Sequence, residues 1–119
     1  MPVTPFGAYV REVRETRRQT DPAYSLRRVA ERLDIEPAYL SKIERGDLPP
    51  PSESVVTRLA AELGEDADTL LAMAGKVSRD LQAIIRRRPR EFAQLIRQLK
   101  DAPDHALLRI VRDVRDGNW

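Results

Sequence analysis

The sequence predicts an all-α protein, and three observations lead to this fold class. Apolar residues recur at intervals of three and four, the spacing that places them on one face of a helix. Glycines and prolines stand at the ends of these amphipathic runs, where helices begin or end. No stretch alternates apolar and polar residues for long enough to indicate a strand. The 119 residues suffice for one domain, or for one small domain with an accessory segment.

Local signals define the first two helices. Tyr9, Val10 and Val13 have helical spacing and predict a helix from about residue 6 to residue 18. The segment QTDPAY then ends this helix. Ser25 is a suitable N-cap for the second helix, LRRVAERL, because its hydroxyl can accept a hydrogen bond from a free backbone N–H of the first turn.

The third predicted helix, PAYLSKIERG, has the clearest ends of all. Pro37 suits a first helical position, and Gly46 suits the residue just past a helix end. Only three residues separate this helix from the second one, so the two helices must cross sharply. Leu40 and Ile43 are too few to cover more than one side. The opposite side carries small and basic residues, with no acidic residue to neutralise them: Ala38, Ser41, Lys42 and Arg45.

Five more helices are predicted after the stiff run DLPPP. The fourth begins at about Ser52 and ends at Gly64, and the fifth, DADTLLAMAG, ends at Gly75. The pattern then restarts with three further helices, two of which can begin at Pro89 and Pro103. Their apolar residues are too many for so short a segment to bury alone, and we expect them to pack on a partner. These residues are Ile84, Ile85, Leu95, Ile96, Leu99, Leu107, Leu108 and Val111.

Composition limits the classes of function. The chain has no cysteine and one histidine, His105, so we expect no disulfide, no metal site and no cofactor. Asp66 and Asp68 are better explained by helix capping than by acid–base catalysis, and we expect no enzymatic activity. No apolar run approaches the roughly 20 residues that cross a bilayer. The expectation is a soluble cytoplasmic protein without a membrane partner.

The stretch SLRRVAERLDIEPAYLSKIERG has the arrangement of a DNA-binding helix-turn-helix. In this motif one helix lies across the DNA backbone, and the next presents its outward face to the major groove. The small residues Pro37 and Ala38 would let the helix approach base edges, and hydrogen-bond donors follow at Ser41, Lys42 and Arg45. The predicted partner is double-stranded DNA.

The same stretch resembles the XRE family of bacterial and phage repressors, whose lambda-repressor-like domain has five helices. The resemblance covers about residues 5–75 and rests on Val29 and Ala30, on AYLSKIERG, and on PPPSESVVTRLAAELG followed by DADTLLAMAG. It implies an ion pair between Arg14 and Glu44 that fixes the first helix to the third. It also implies base and phosphate contacts at seven positions: Arg27, Pro37, Ala38, Tyr39, Ser41, Lys42 and Arg45.

Several positions depart from the family's pattern or leave two interpretations open. Asp34 stands where glycine is usual, although aspartate tolerates the left-handed region better than most residues. Glu36 stands where a Ser or Thr cap is common, and it would repel a nearby phosphate. The link after the first helix is longer than usual, and its Arg17 and Arg18 are candidates for DNA backbone contacts. Tyr39 fits stacking on a sugar and covering the core edge equally well.

The C-terminal part contains a dense basic cluster: Arg86, Arg87, Arg88 and Arg90. This cluster resembles a nucleic-acid patch, and it is also explained as the solvated end of a helix. Residues 76–119 carry eleven Lys and Arg against six Asp and Glu, which is compatible with a polyanionic partner. The polar tail that ends at Trp119 is expected to be disordered or to dock weakly.

Together these observations predict a DNA-binding domain at residues 1–75 and a helical segment at 76–119 that dimerises it or binds a partner. The expected function is sequence-specific transcriptional regulation by a nucleoid-associated repressor that occupies a palindromic operator as a homodimer. The alternative is an interaction protein, either an antitoxin or the partner of an ImmA/IrrE-type zinc metallopeptidase, which short XRE repressors with helical tails resemble.

Overall fold

The computed structural model describes residues 5–118, and Trp119 therefore lies outside the described residues. All regular secondary structure in residues 5–118 is helical, with no strand, so the predicted all-α fold class is confirmed. Its α-helices are α1 (Phe6–Arg18), α2 (Leu26–Arg32), α3 (Pro37–Glu44), α4 (Glu53–Leu63), α5 (Ala67–Met73), α6 (Arg79–Arg87), α7 (Pro89–Leu99) and α8 (Asp104–Arg115). A short 3₁₀ turn, Pro22–Tyr24, lies between α1 and α2. Across residues 5–118, no helix combines the length and apolarity needed to span a bilayer.

N-cap residues begin the helices, and glycines end them, largely as the sequence predicts. The Ser25 hydroxyl accepts a hydrogen bond from the backbone N–H of Arg28 at 3.3 Å, and so caps α2. The Asp66 carboxylate accepts one from the backbone N–H of Thr69 at 2.9 Å, and this bond lowers the pKa of Asp66. The capping role expected for Asp66 is therefore confirmed. Gly64 ends α4 in the left-handed region, with φ 69°.

The chain divides into two compact units, the first ending at Ser78 and the second beginning at Arg79. This division lies slightly beyond the predicted one after Gly75. A physical reason is the Lys76 ammonium, which donates to the carbonyl oxygen of Pro51 at 2.7 Å and ties the residues after α5 to the loop before α4.

All five helices of the first unit contribute to one apolar core. Its buried members are Phe6, Val10, Val29, Ala30, Leu33, Leu40, Ile43, Val56, Leu59, Ala60, Leu63, Leu70 and Leu71. Burial of a Leu, Ile, Val or Phe side chain stabilises a fold by about 1.5 to 3 kcal/mol, so this core is the main source of the unit's stability. In residues 5–118 every buried side-chain polar atom has a hydrogen-bond partner.

The helix pair α1 and α3 is in unusually close contact at Gly7. A Cβ atom at this position would overlap the carbonyl oxygen of Ile43 and would lie 2.9 Å from the carbonyl oxygen of Glu44. Because both obstacles are backbone atoms, the contact can be relieved only by moving a helix. The start of α1 therefore packs on the end of α3 through a residue without a side chain.

The second unit contains α6, α7 and α8, and none of its described residues is fully buried. Ile85, Phe92, Leu99 and Leu107 are half-buried. The other large apolar residues are exposed: Leu81, Ile84, Leu95, Ile96, Leu108, Ile110, Val111 and Val114. The expectation that this segment cannot hide its apolar residues is thus met within the described chain.

Replacing Gly7 by alanine should lower the free energy of unfolding by about 3 kcal/mol, because the new methyl group forces α1 away from α3. This loss would occur although alanine is the better helix former by about 1 kcal/mol. Urea unfolding followed by circular dichroism measures it. The matched control is Gly75→Ala, where φ is 74° and the space is open, so only backbone strain of about 1 to 2 kcal/mol is expected. Equal losses in the two variants would contradict the close-contact interpretation.

Candidate nucleic-acid interface

The turn between α2 and α3 is tight and rests on one left-handed residue. Asp34 has φ 56°, so it adopts the conformation that the sequence requires of this position. Its backbone N–H donates to the carbonyl oxygen of Glu31 at 3.1 Å, and that of Ile35 donates to Ala30 at 3.0 Å. A guanidinium nitrogen of Arg58 donates to the Leu33 carbonyl oxygen at 2.9 Å. These bonds connect the turn to α2 and to α4.

The beginning of α3 is set by its backbone rather than by a side-chain cap. Glu36 precedes the helix in an extended conformation, and its carboxylate makes no capping hydrogen bond. Pro37 occupies the first helical position, where its fixed φ favours helix formation and its missing N–H has no consequence. The entry into α3 is therefore rigid without the cap that is common at this position.

One side of α3 is buried and the other faces outward. Leu40, Ile43 and Glu44 are buried in the first unit. The predicted DNA-contacting residues lie away from the core: Arg27, Ala38, Lys42 and Arg45 are exposed, and Pro37, Tyr39 and Ser41 are half-buried. Tyr39 also packs against the edge of the core, so it has at least the covering role that the sequence left open. Contact of these seven residues with DNA remains a prediction.

The expectation that no acidic residue neutralises this face is wrong for Arg45. Gly46, with φ 78°, turns the chain back after α3, and a carboxylate oxygen of Asp47 then lies 3.3 Å from the Arg45 guanidinium. Arg27 has a looser contact of 3.7 Å with Glu31, one turn further along α2. Both pairs are exposed, and exposed pairs contribute at most about 1 kcal/mol. Lys42 has no ion pair within residues 5–118.

A buried ion pair fixes α3 to α1, as the resemblance implies. The Arg14 guanidinium donates from Nε to one carboxylate oxygen of Glu44 at 2.7 Å and from Nη2 to the other at 2.9 Å. The two residues are only 3% and 5% exposed. Arg14 also donates to the carbonyl oxygen of Tyr24 at 3.1 Å and to the Glu15 carboxylate at 3.0 Å. The hydrogen bonds to Glu44 raise the pKa of Arg14, so the guanidinium stays charged despite its burial.

Arg17 and Arg18, the candidates for DNA backbone contacts, are engaged within the protein. The Arg18 guanidinium lies 2.8 Å from a carboxylate oxygen of Glu15. The Arg17 and Arg32 guanidinium groups each lie 5.6 Å from the centre of the Tyr24 ring, in cation–π contacts. The sequence did not predict the contacts at Tyr24, since they depend on how α1, the 3₁₀ turn and α2 pack. Contact of Arg17 or Arg18 with DNA remains a prediction.

No metal site is evident in the described part of the chain. Among residues 5–118, no group of three or more His, Asp or Glu side chains is placed to hold a metal ion.

Comparison with known proteins assigns the first unit to a family. The family described as "Helix-turn-helix domain" matches residues 5–73, more than half of the chain. The chain belongs to this helix-turn-helix family. The predicted XRE-like helix-turn-helix domain is thereby confirmed, whereas pairing with a metallopeptidase is not shown.

Two relatives are similar to this helix-turn-helix chain. They are described as uncharacterised HTH-type transcriptional regulators from two strains of Mycobacterium tuberculosis, and each is 38% identical over 69 residues. The aligned segment covers 58% of this chain and 45% of each relative, so the chain spans less than half the length of the curated relatives it matches. No solved structure matches the chain significantly.

Removing one partner of the buried pair should lower the free energy of unfolding far more than removing one partner of an exposed pair. We expect Glu44→Leu alone, or Arg14→Met alone, to lower the free energy of unfolding by about 3 to 5 kcal/mol, because the remaining charge is buried without its partner. The double variant should lose clearly less than the sum of the single losses.

A double-mutant cycle of urea unfolding measures this coupling. The control is Arg18→Met, which removes an exposed arginine paired with Glu15 on the same helix and should cost at most about 1 kcal/mol. Additive losses at Arg14 and Glu44 would show that the two side chains do not stabilise each other.

Proposed function

We propose that this chain is a sequence-specific DNA-binding transcriptional regulator that places the outward face of α3 in the major groove. The supporting observation is the exposed surface of small and basic residues on α3, held by a tight turn at one end and a buried ion pair at the other. The curated relatives are themselves described as HTH-type transcriptional regulators, which supports the same function for this chain.

The side chains of α2 and α3 suit two kinds of DNA contact: contacts that read base edges and contacts that position the domain on the phosphate backbone. Ala38 at the beginning of the helix is exposed and small, so the helix can approach base edges closely. Ser41 and Lys42 follow with donors that can reach base acceptors. Arg45 can exchange its exposed contact with Asp47 for a phosphate at little cost, because such a surface pair is weak. Arg27, at the beginning of α2, is exposed and can make a DNA backbone contact of the kind that positions the domain.

Alanine variants of Lys42 and Arg45 should separate base reading from phosphate binding. Loss of a base contact should weaken operator binding by about 1 to 3 kcal/mol and relax the preference at one base pair. Loss of a phosphate contact should weaken binding to all sequences and lower the salt slope by about 0.9. The operator is obtained by selection from random duplexes, and binding is titrated at several salt concentrations.

The control for these variants is Arg109→Ala, an exposed arginine of α8 that is paired with Asp113 at 3.9 Å. This variant removes the same charge from a different surface. Unchanged operator affinity in both Lys42→Ala and Arg45→Ala would refute the proposed role of α3.

We further propose that the regulator is a homodimer and acts as a repressor on a palindromic operator. The exposed apolar residues of α6, α7 and α8 support association, since a soluble monomer rarely leaves so many of them uncovered. A second copy covers this surface symmetrically and presents two α3 helices about one turn of DNA, or roughly 34 Å, apart. Two linked reading helices multiply affinity without any new contact.

Charged substitutions on the exposed apolar surface should dissociate the dimer and leave the monomer folded. Ile96 and Leu108 are 59% and 61% exposed, so an aspartate at either position has little effect on the monomer but would be buried in the interface. We expect Ile96→Asp and Leu108→Asp to be monomeric by sedimentation equilibrium, with unchanged helical content and weaker operator binding. The control is Asn118→Asp, at an exposed polar position just after α8. A wild-type chain that is monomeric would reject the homodimer and leave this surface to a different protein partner.

A further inference from the structure

The linker between α6 and α7 is one residue long and carries a concentration of positive charge. We call the four exposed arginines around it the arginine turn: Arg86, Arg87, Arg88 and Arg90. The backbone N–H of Arg88 donates to the Ile85 carbonyl oxygen at 3.2 Å, and its carbonyl oxygen accepts from the N–H of Phe92 at 3.0 Å. Pro89 then fixes φ at the start of α7. The backbone of the arginine turn is therefore defined, and its side chains extend into solvent.

The arginine turn has no internal counter-charge. Within residues 5–118, none of its four guanidinium groups lies within ion-pair distance of a carboxylate, and none makes another polar contact. Other arginines of the second unit are paired: Arg109 with Asp113 at 3.9 Å, and Arg115 with Asp116 at 3.1 Å. The arginine turn is thus left without an ion pair, whereas two arginines of α8 are paired with aspartates.

Helix stability explains only part of this cluster. Arg86 and Arg87 lie in the last turn of α6, where cations interact favourably with the helix dipole. Arg90 lies in the first turn of α7, where the same dipole disfavours a cation. Four like charges in five positions also repel one another. The favourable interaction with the dipole of α6 therefore explains Arg86 and Arg87. It does not explain why arginine occurs at positions 88 and 90.

The basic surface continues along one side of α7. A shallow groove is lined by Arg90, Ala93, Gln94, Arg97 and Gln98, which share one face of the helix. None of these lining residues is acidic, and they offer guanidinium and amide donors over about 10 Å. The opposite face of α7 carries its apolar residues: Phe92, Leu95, Ile96 and Leu99. The helix can therefore be covered by protein on one side while its other side binds an anion.

We propose that the arginine turn and the basic face of α7 bind DNA phosphates that flank the base pairs read by α3. The identity of the polyanion rests on the proposed function, which brings a DNA duplex to the same chain. Guanidinium groups bind phosphates bidentately, and arginine and glutamine side chains are common backbone-contacting groups. The second unit follows Ser78 directly, so a duplex held by the first unit is at high effective concentration for the arginine turn.

Comparison of long and short operator duplexes tests this proposal in the full-length chain. One duplex ends at the half-sites found by selection, and the other extends about one helical turn beyond each side. Wild-type protein should bind the long duplex more tightly and with a steeper salt dependence. In Arg88→Gln/Arg90→Gln the advantage of the long duplex should shrink, and the salt slope on that duplex should fall by about 1.8, or about 0.9 for each lost phosphate contact.

The matched control is Arg109→Gln/Arg115→Gln, which removes the same charge from arginines already paired with carboxylates. It should retain the advantage of the long duplex. A loss of equal size in this control would show that net charge alone acts, and an unchanged slope in Arg88→Gln/Arg90→Gln would show that these arginines do not contact DNA. Either result overturns the proposal, as does a change in oligomeric state or helical content in Arg88→Gln/Arg90→Gln.

Two further measurements separate this proposal from other possibilities. If wild-type protein shows no advantage on the long duplex but binds phosphatidylserine vesicles through Arg88 and Arg90, the partner is a membrane surface and the proposal is wrong. If Lys42→Ala abolishes selective binding while Arg88→Gln/Arg90→Gln behaves as wild type, only the flanking contact fails. Absence of any duplex binding by wild-type protein rejects both this proposal and the proposed function.

Discussion

The buried ion pair between Arg14 and Glu44 connects the helix that begins the domain to the end of the helix that faces outward. Its two parallel hydrogen bonds fix the rotation of α3 about its axis, and the close approach at Gly7 fixes its distance from α1. Rotation decides which side chains of α3 face solvent. If α3 turned by one residue, or about 100°, part of its basic surface would enter the core. The orientation of the candidate interface therefore depends on a polar contact inside an otherwise apolar core.

Local chemistry explains why the helices could be predicted so fully from the sequence. Pro37 and Gly46 bound α3, Ser25 caps α2, and Asp34 adopts the left-handed turn; each of these signals acts within a few residues. The outward face of α3 followed from spacing alone, because Leu40 and Ile43 define the buried side. The exposure of the apolar residues in the second unit followed from a comparison of their number with the length of the segment.

Contacts that depend on the tertiary path of the chain could not be predicted in the same way. The pairing of Arg14 with Glu44 was implied by a resemblance, since no local pattern joins residues 30 positions apart. Arg45 was expected to be free of acidic neighbours, and its contact with Asp47 exists because the left-handed Gly46 reverses the chain. Cation–π contacts at Tyr24 likewise depend on how α1 and α2 pack. In each case the sequence supplies the groups, and the tertiary path of the chain brings them together.

The two units differ in how they obtain stability, and the difference bears on the proposed function. The first unit buries an apolar core of its own, whereas the described residues of the second have none. Ordering a helical segment costs about 1 to 2 kcal/mol per residue in backbone entropy, which the second unit can offset only partly by itself. In the proposed dimer, association supplies the missing burial, so order in the second unit increases with protein concentration. Operator occupancy would then depend on protein concentration more steeply than for a monomer that binds alone, because dimerisation also supplies the second α3 helix.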